Sequence, residues 1–462
     1  MSLIAILPFL LALGLAMASH ELPERCRGGS AYKKLLQSKA ANDALIFTQK
    51  TDHFNDDCNC TFAQRYFVDD TYYTEGSDAP IFFEIGGEGT LSGAPAGYLA
   101  TLAKQYSAKL VALEHRFYGE SIPGGNSETE NLKKHLTVEQ ALADLNAFTQ
   151  QYTADHNLKG KWFVFGGSYP GALSSWYRNA YPEASVGSLS SSGVVNPIVD
   201  FYQFDEQVSS ASGNECGTRL KKVNEAFEEQ IRTKDGFAYS KGQMECESDM
   251  AETDFLYMIA DSYSMMVQYG GKSKLCDTIL AIPESDLTTE RLTTVFSELS
   301  KEYWGAEFCS QGFYNTAALK DPARWDTNSR SWRWQTCYQV AWFNTAPPQG
   351  SVRSESVNLD YHLKQCAEIF GYKMFPAVTP LIKKFGGDSP TAHNVFYSDF
   401  SDDPWQRASV NYPPGVDQPY GYAFCDDCGH CADFHEPTDA DHQHLKDERA
   451  EFEKYLKLWL DE

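Results

Sequence analysis

The stretch Trp162-Phe163-Val164-Phe165-Gly166-Gly167-Ser168-Tyr169-Pro170-Gly171-Ala172-Leu173 reads as a buried strand, a sharp turn and the start of a helix. Four large apolar residues in a row predict a strand covered on both faces, the pattern of a parallel sheet. Ser168 stands at the tip of the turn. A serine hydroxyl is a weak nucleophile unless a base takes its proton and its oxygen is held exposed. A strand-to-helix turn flanked by small residues gives that exposure and places the serine in a strained backbone conformation. Gly166 meets the usual G-x-S-x-G spacing on the near side. On the far side Pro170 stands where the second glycine is expected, and Gly171 follows it. Ser168 is the candidate nucleophile.

Outward from this turn, short apolar runs alternate with helical patterns. Ala79 to Ile85, Lys109 to Leu113 and Val186 to Leu189 read as strands, with helices around Ala96 to Tyr106 and after Thr137, which is placed to cap. Such alternation predicts a mostly parallel sheet with helices on both faces. From 196 to 393 the pattern changes to helical periodicity, and six cysteines fall there: Cys216, Cys246, Cys276, Cys309, Cys337 and Cys366. The strand signal resumes at Asn394 to Tyr397, and Asp447 to Leu460 reads as a closing helix. The expected organisation is a sheet domain in two parts, 20–195 and 394–462, split by a helical, disulfide-bearing cap at 196–393.

In a sheet of this kind the acid and the histidine follow the serine, each after a strand of the second half. The carboxylates after Tyr397 are Asp399, Asp402 and Asp403, and Pro404-Trp405 fixes the loop beyond Asp403. Of the downstream histidines, His435, His442 and His444 lie in an acidic polar stretch. His430 follows the apolar run Tyr420 to Phe424 on a turn that can face inward. His430 is the candidate base and Asp403 the group that orients it. A rival reading takes Cys425, Cys428, Cys431 and His430 as zinc ligands, although an oxidising compartment favours disulfides. The backbone donors expected for an oxyanion are the Tyr169 amide and one from Gly86-Gly87-Glu88-Gly89, with Gly87 the candidate.

The whole chain bounds the context. Its 462 residues carry a net charge of −24, which argues against nucleic acid and anionic membranes as partners. The first 19 residues carry no charge, Leu3 to Met17 is almost wholly apolar, and Ala16-Met17-Ala18 fits a signal-peptidase site. Residues 1–19 are expected to be a signal peptide. The twelve cysteines suit the same route, a secreted or lysosomal/vacuolar lumen, and Asn59-Cys60-Thr61 is the single glycosylation sequon. No metal or other cofactor is expected.

Taken together, the chain resembles the serine-peptidase family of lysosomal Pro-X carboxypeptidase, dipeptidyl peptidase II and thymus-specific serine peptidase. The resemblance rests on Gln49 to Phe54, Ile85 to Gly89, Leu113 to Ser121, Glu139 to Leu145, the Ser168 turn, Trp334 to Cys337, Asp403-Pro404-Trp405 and Gly429 to Asp433. It implies an α/β-hydrolase fold with an inserted helical, disulfide-bonded cap, and the triad Ser168, Asp403 and His430. It further implies cleavage after proline from one end of short proline-containing peptides, Trp405 lining the proline pocket, and homodimers formed through the cap. Two departures stand out. Asp399-Phe400-Ser401-Asp402 replaces the family's usual Asn-Gly-Glu-Leu, so Asp402 competes with Asp403 for His430. Tyr338-Gln339 replaces Thr-Glu after Cys337, which removes an acid able to meet a substrate amine. An esterase or lipase on the same scaffold, and a non-catalytic secreted binding protein, are the alternatives.

Overall fold

The computed structural model describes residues 44–55, 59–323, 327–410 and 418–462. The expected signal peptide lies outside them. Two strands open the described chain, β1 (Leu45–Lys50) and β2 (Thr61–Asp69), paired antiparallel. Then follow β3 (Ile81–Ile85), α1 (Tyr98–Tyr106), β4 (Lys109–Leu113), α2 (Thr129–His135) and α3 (Val138–Asp155). The Oγ of Thr137 accepts from the Gln140 amide, the cap foreseen for α3. β5 (Trp162–Gly167) leads through Ser168 into α4 (Tyr169–Ala180), and β6 (Gly187–Ser191) follows.

Between β6 and the next strand the described chain is helical: α5 (Gln203–Gln230), α6 (Lys234–Gln243), α7 (Glu252–Gln268), α8 (Lys272–Leu280), α9 (Thr289–Trp304), α10 (Thr316–Lys320), α11 (Thr327–Gln335), α12 (Leu359–Phe370) and α13 (Val378–Phe385). Disulfides Cys216–Cys276, Cys246–Cys309 and Cys337–Cys366 tie this segment to itself. The sheet resumes with β7 (Val395–Phe400) and β8 (Tyr420–Ala423), and α14 (Gln443–Asp461) closes the fold.

The eight strands lie in the order β1-β2-β4-β3-β5-β6-β7-β8, with β2 antiparallel to β4 and every pair from β4 through β8 parallel. This is the α/β-hydrolase fold, with the Ser168 turn at the end of a central strand. The alternation of side chains sorts the two faces. Phe82, Leu110, Phe163, Phe165 and Phe396 pack on α1 and α14. Phe83, Val111, Val164 and Tyr397 face α3 and α4, and that core continues into Phe204, Phe227, Phe255 and Phe296 of the cap. Cap and sheet therefore share apolar surface, which binds them together more firmly than a flexible linker could.

The sequence reading missed β1 and β2. It also ended β7 too early: Asp399 and Phe400 are strand residues, fully buried, rather than part of the loop that carries Asp403. Among the described residues no helix is long and apolar enough to cross a membrane.

Candidate active site

Ser168 holds φ 66° and ψ −130° between β5 and α4, a left-handed conformation costly for a residue with a side chain. The turn closes only because Gly166 has no Cβ, since one there would collide with the Pro170 carbonyl. Proline at the second position of α4 is compatible with the turn because a first-turn amide has no intrahelical partner to lose. The Ser168 amide donates to the Ser191 carbonyl at 2.9 Å, which fastens the turn to β6.

Asp403 and His430 meet in the structure. The Nδ1–H of His430 donates to Oδ2 of Asp403 at 2.7 Å, and both side chains are fully buried. The other carboxylate oxygen accepts from the Trp405 amide at 2.9 Å, so Asp403 is held at both oxygens. His430 is seated by its own amide, which donates to the Gln268 carbonyl at the end of α7. Its Nε2 is buried and has no hydrogen-bond partner among the described residues.

Asp402, the competitor, is turned elsewhere. It pairs with Lys272 at 3.0 Å and accepts from the Asp427 amide at 2.7 Å. Burial outweighs Lys272 and pushes its carboxyl up to about 6. The zinc reading fails on connectivity, because Cys425 and Cys428 are joined to each other and Cys431 is disulfide-bonded as well. Among the described residues no group of histidine, cysteine and acidic side chains has a metal-binding arrangement.

Ser168 opens into a cavity of about 930 Å³, counted with its mouth, between the sheet and the cap. Trp405, Phe204, Trp332, Trp342 and Tyr257 make much of its wall, and Glu88, Arg333 and Gln268 bring polar atoms to it. Trp405 packs on Phe204 at 5.1 Å and Phe201 at 5.7 Å, while its Nε1 donates to the Gln268 side chain at 3.0 Å. It both lines the cavity and belongs to the packing beneath it. Gly87 lies against the start of α4; a Cβ there would come within 2.9 Å of Pro170 Cγ. Its loop and the Tyr169 amide, first in its helix, thus flank the serine. Burial raises the Glu88 carboxyl above the usual range.

Helix α11 roofs the nucleophile. Trp332 lies 5.5 Å from the Tyr169 ring, and the Gln335 amide donates to the Tyr169 hydroxyl at 2.7 Å. Tyr118 in turn donates to the Gln335 side-chain oxygen. His115 Nε2 lies 3.1 Å from the Tyr169 hydroxyl, and its Nδ1 donates to the Arg116 carbonyl at 2.7 Å. Burial pushes His115 down to about 4, so this chain of bonds has a neutral imidazole at its end. The sequence reading named Gln335 only inside a family block and passed over Trp332, Arg333 and Gln268. A basic residue set among tryptophans, in Ser331-Trp332-Arg333-Trp334, was the signal available. Gln339, set against an acid of the family, instead bonds the Val138 amide and Glu139 at the start of α3, away from the cavity lining.

The family described as "Serine carboxypeptidase S28" matches residues 49–452. A probable serine protease of Arabidopsis thaliana, EDA2, is 36% identical over 403 residues, 84% of this chain and 80% of the relative. The thymus-specific serine protease of Mus musculus is 28% identical over 453 residues, covering 89% and 86%. The lysosomal Pro-X carboxypeptidase of Homo sapiens is 26% identical over 401 residues, covering 79% and 78%.

Proposed function

The chain belongs to this serine carboxypeptidase family, a family of serine-type peptidases, and from that premise we propose that it is an exopeptidase cutting short peptides after proline in a secreted or lysosomal lumen. The observation that carries the mechanism is the unpaired Nε2 of buried His430, opposite the nitrogen held by Asp403. As Ser168 Oγ attacks the proline carbonyl, Nε2 takes its proton, and Asp403 stabilises the imidazolium that forms. The amides of Tyr169 and Gly87 receive the oxyanion. The tetrahedral intermediate collapses, the C–N bond breaks, and His430 returns the proton to the leaving amine. Water then hydrolyses the acyl-enzyme by the same steps, with His430 again the base.

Two features support the substrate. The indole of Trp405, beside Phe204 and Trp342, offers a flat apolar face to a pyrrolidine ring. The cap roofs the cavity through α11, which suits a short chain end better than a folded protein. The purified protein is to be assayed at acidic and neutral pH with X-Pro-reporter, blocked peptide-Pro-X and p-nitrophenyl ester substrates. A proline peptide should turn over, and Ser168→Ala should lose on the order of 10⁶-fold in kcat. Equal turnover by Ser168→Ala would remove the nucleophile, and ester cleavage alone would remove the peptidase reading.

A further inference from the structure

We propose that Arg333 anchors the free C-terminal carboxylate of the substrate, so that this site releases the residue following proline from the C-terminal end. This rests on the post-proline reading above and settles which chain end is read.

Arg333 is on α11, between Trp332 and Gln335, whose contacts with Tyr169 fix that helix over the nucleophile turn. It is only 4% exposed and lines the same cavity as Ser168 and Trp405. A guanidinium carries five N–H donors in a planar fork. Here Nη2 donates to His362 Nδ1 at 3.1 Å, and Nε is buried with no partner. His362 brings no negative charge: its Nε2–H donates to the Asn344 carbonyl at 2.9 Å, and burial with the Arg333 charge keeps the ring neutral.

The nearby carboxylates are engaged by other groups. Asp254 accepts from the Thr316 amide and hydroxyl, the Tyr361 hydroxyl and Gln365. Asp261 pairs with Arg353 at 2.8 Å, and Arg353 also forks onto Asp205. Among the described residues Arg333 is therefore a buried cation with no anion in hydrogen-bond reach, an arrangement that costs free energy until one arrives. A planar carboxylate is the complement of its fork. Asn344, also in the cavity wall, holds a buried side-chain oxygen without a partner, an acceptor for the amide N–H of the leaving residue. Glu88 and Asp261 are the carboxyl groups in the wall with Ser168; burial raises both, and Asp261 is already paired with Arg353, so both are poor competing sites for a substrate amine.

The test compares a blocked peptide-Pro-Phe as free acid with its C-terminal amide. The wild-type protein should prefer the acid by about 10²–10³-fold in kcat/KM, since the amide leaves the buried charge unpaired. Arg333→Met should collapse that ratio to within about threefold, and Arg333→Lys should keep part of it, having charge without the fork. Melting temperatures of both variants identify a folding defect, and in that event the better-folded variant decides on the ratio alone. Binding of the same acid and amide to Ser168→Ala, followed by calorimetry, gives a readout free of turnover. Equal wild-type rates on acid and amide, or cleavage only of X-Pro substrates with a free amine, would overturn the anchor and leave the post-proline reading standing. Acid-selective binding without cleavage of any peptide would leave the anchor standing and remove the peptidase reading.

Discussion

Asp402 and Asp403 are neighbours in sequence, yet only Asp403 reaches His430, while Asp402 faces Lys272 and the Asp427 amide. Asp403→Asn should lower kcat by about 10⁴-fold, because an amide cannot hold the same tautomer or stabilise the imidazolium. Asp402→Asn should stay within about tenfold in kcat; if it alone shows the large loss, the acid is misassigned. Its effect belongs in stability. The Asp402 carboxyl rises from 3.8 to about 6 on folding because it is buried. The stability it contributes is complete below pH 4 and is lost as pH rises through about 6. Asp402→Asn should remove roughly 1–3 kcal/mol of that pH-dependent loss, read from denaturant unfolding at pH 4.5 and 7.5. A stability difference between those pH values unchanged by the substitution would count against it.

Helix α11 is the element on which substrate reading depends, and its far end runs through a π-helical turn, Thr336–Val340, that contains Cys337. The Cys337–Cys366 bridge fastens that turn to α12. Cys337→Ser with Cys366→Ser opens a loop whose cysteines are 29 residues apart, worth about 3–4 kcal/mol in chain entropy. Thermal unfolding should register that loss, and KM should rise as α11 loosens over Tyr169; unchanged KM would show that the roof holds without the bridge. The central strand β5 was legible in the sequence because it is buried on both faces and Trp162 to Phe165 reads as an unbroken apolar run. β2 was not: it alternates, and its inward positions include the buried Gln64, which bonds Gln49 and the Glu114 carbonyl. Ser168, Asp403 and His430 could be named because chain order and turn chemistry restrict them. Arg333 could not, since only tertiary packing decides which of many cap residues face the cavity.

At the scale of the molecule, acid is expected to favour the fold. Burial, with Asp403 close by, raises Asp399 well above the usual carboxyl range, and burial with Asp433 does the same for Glu448. Burial also raises Asp433 and Glu88. A carboxyl group raised on folding adds stability that is present below its unfolded value and lost as pH climbs through the folded one. The net charge of −24 acts in the same direction, since self-repulsion grows as carboxylates ionise. The melting temperature should therefore be higher near pH 5 than near pH 8. A higher value at pH 8 would mean that ion pairs of the Lys272–Asp426 kind dominate instead.

The cap, threaded between β6 and β7, also orders events in time. Ser168 and its strand leave the ribosome first, and the chain must then be lengthened by more than 200 residues before Asp403 and His430 exist. At translation rates of about 5–20 residues per second, that interval lasts on the order of 10–50 s. Throughout it the nascent chain carries its serine with neither partner, so a newborn molecule is harmless to the peptides around it until its last two strands are in place.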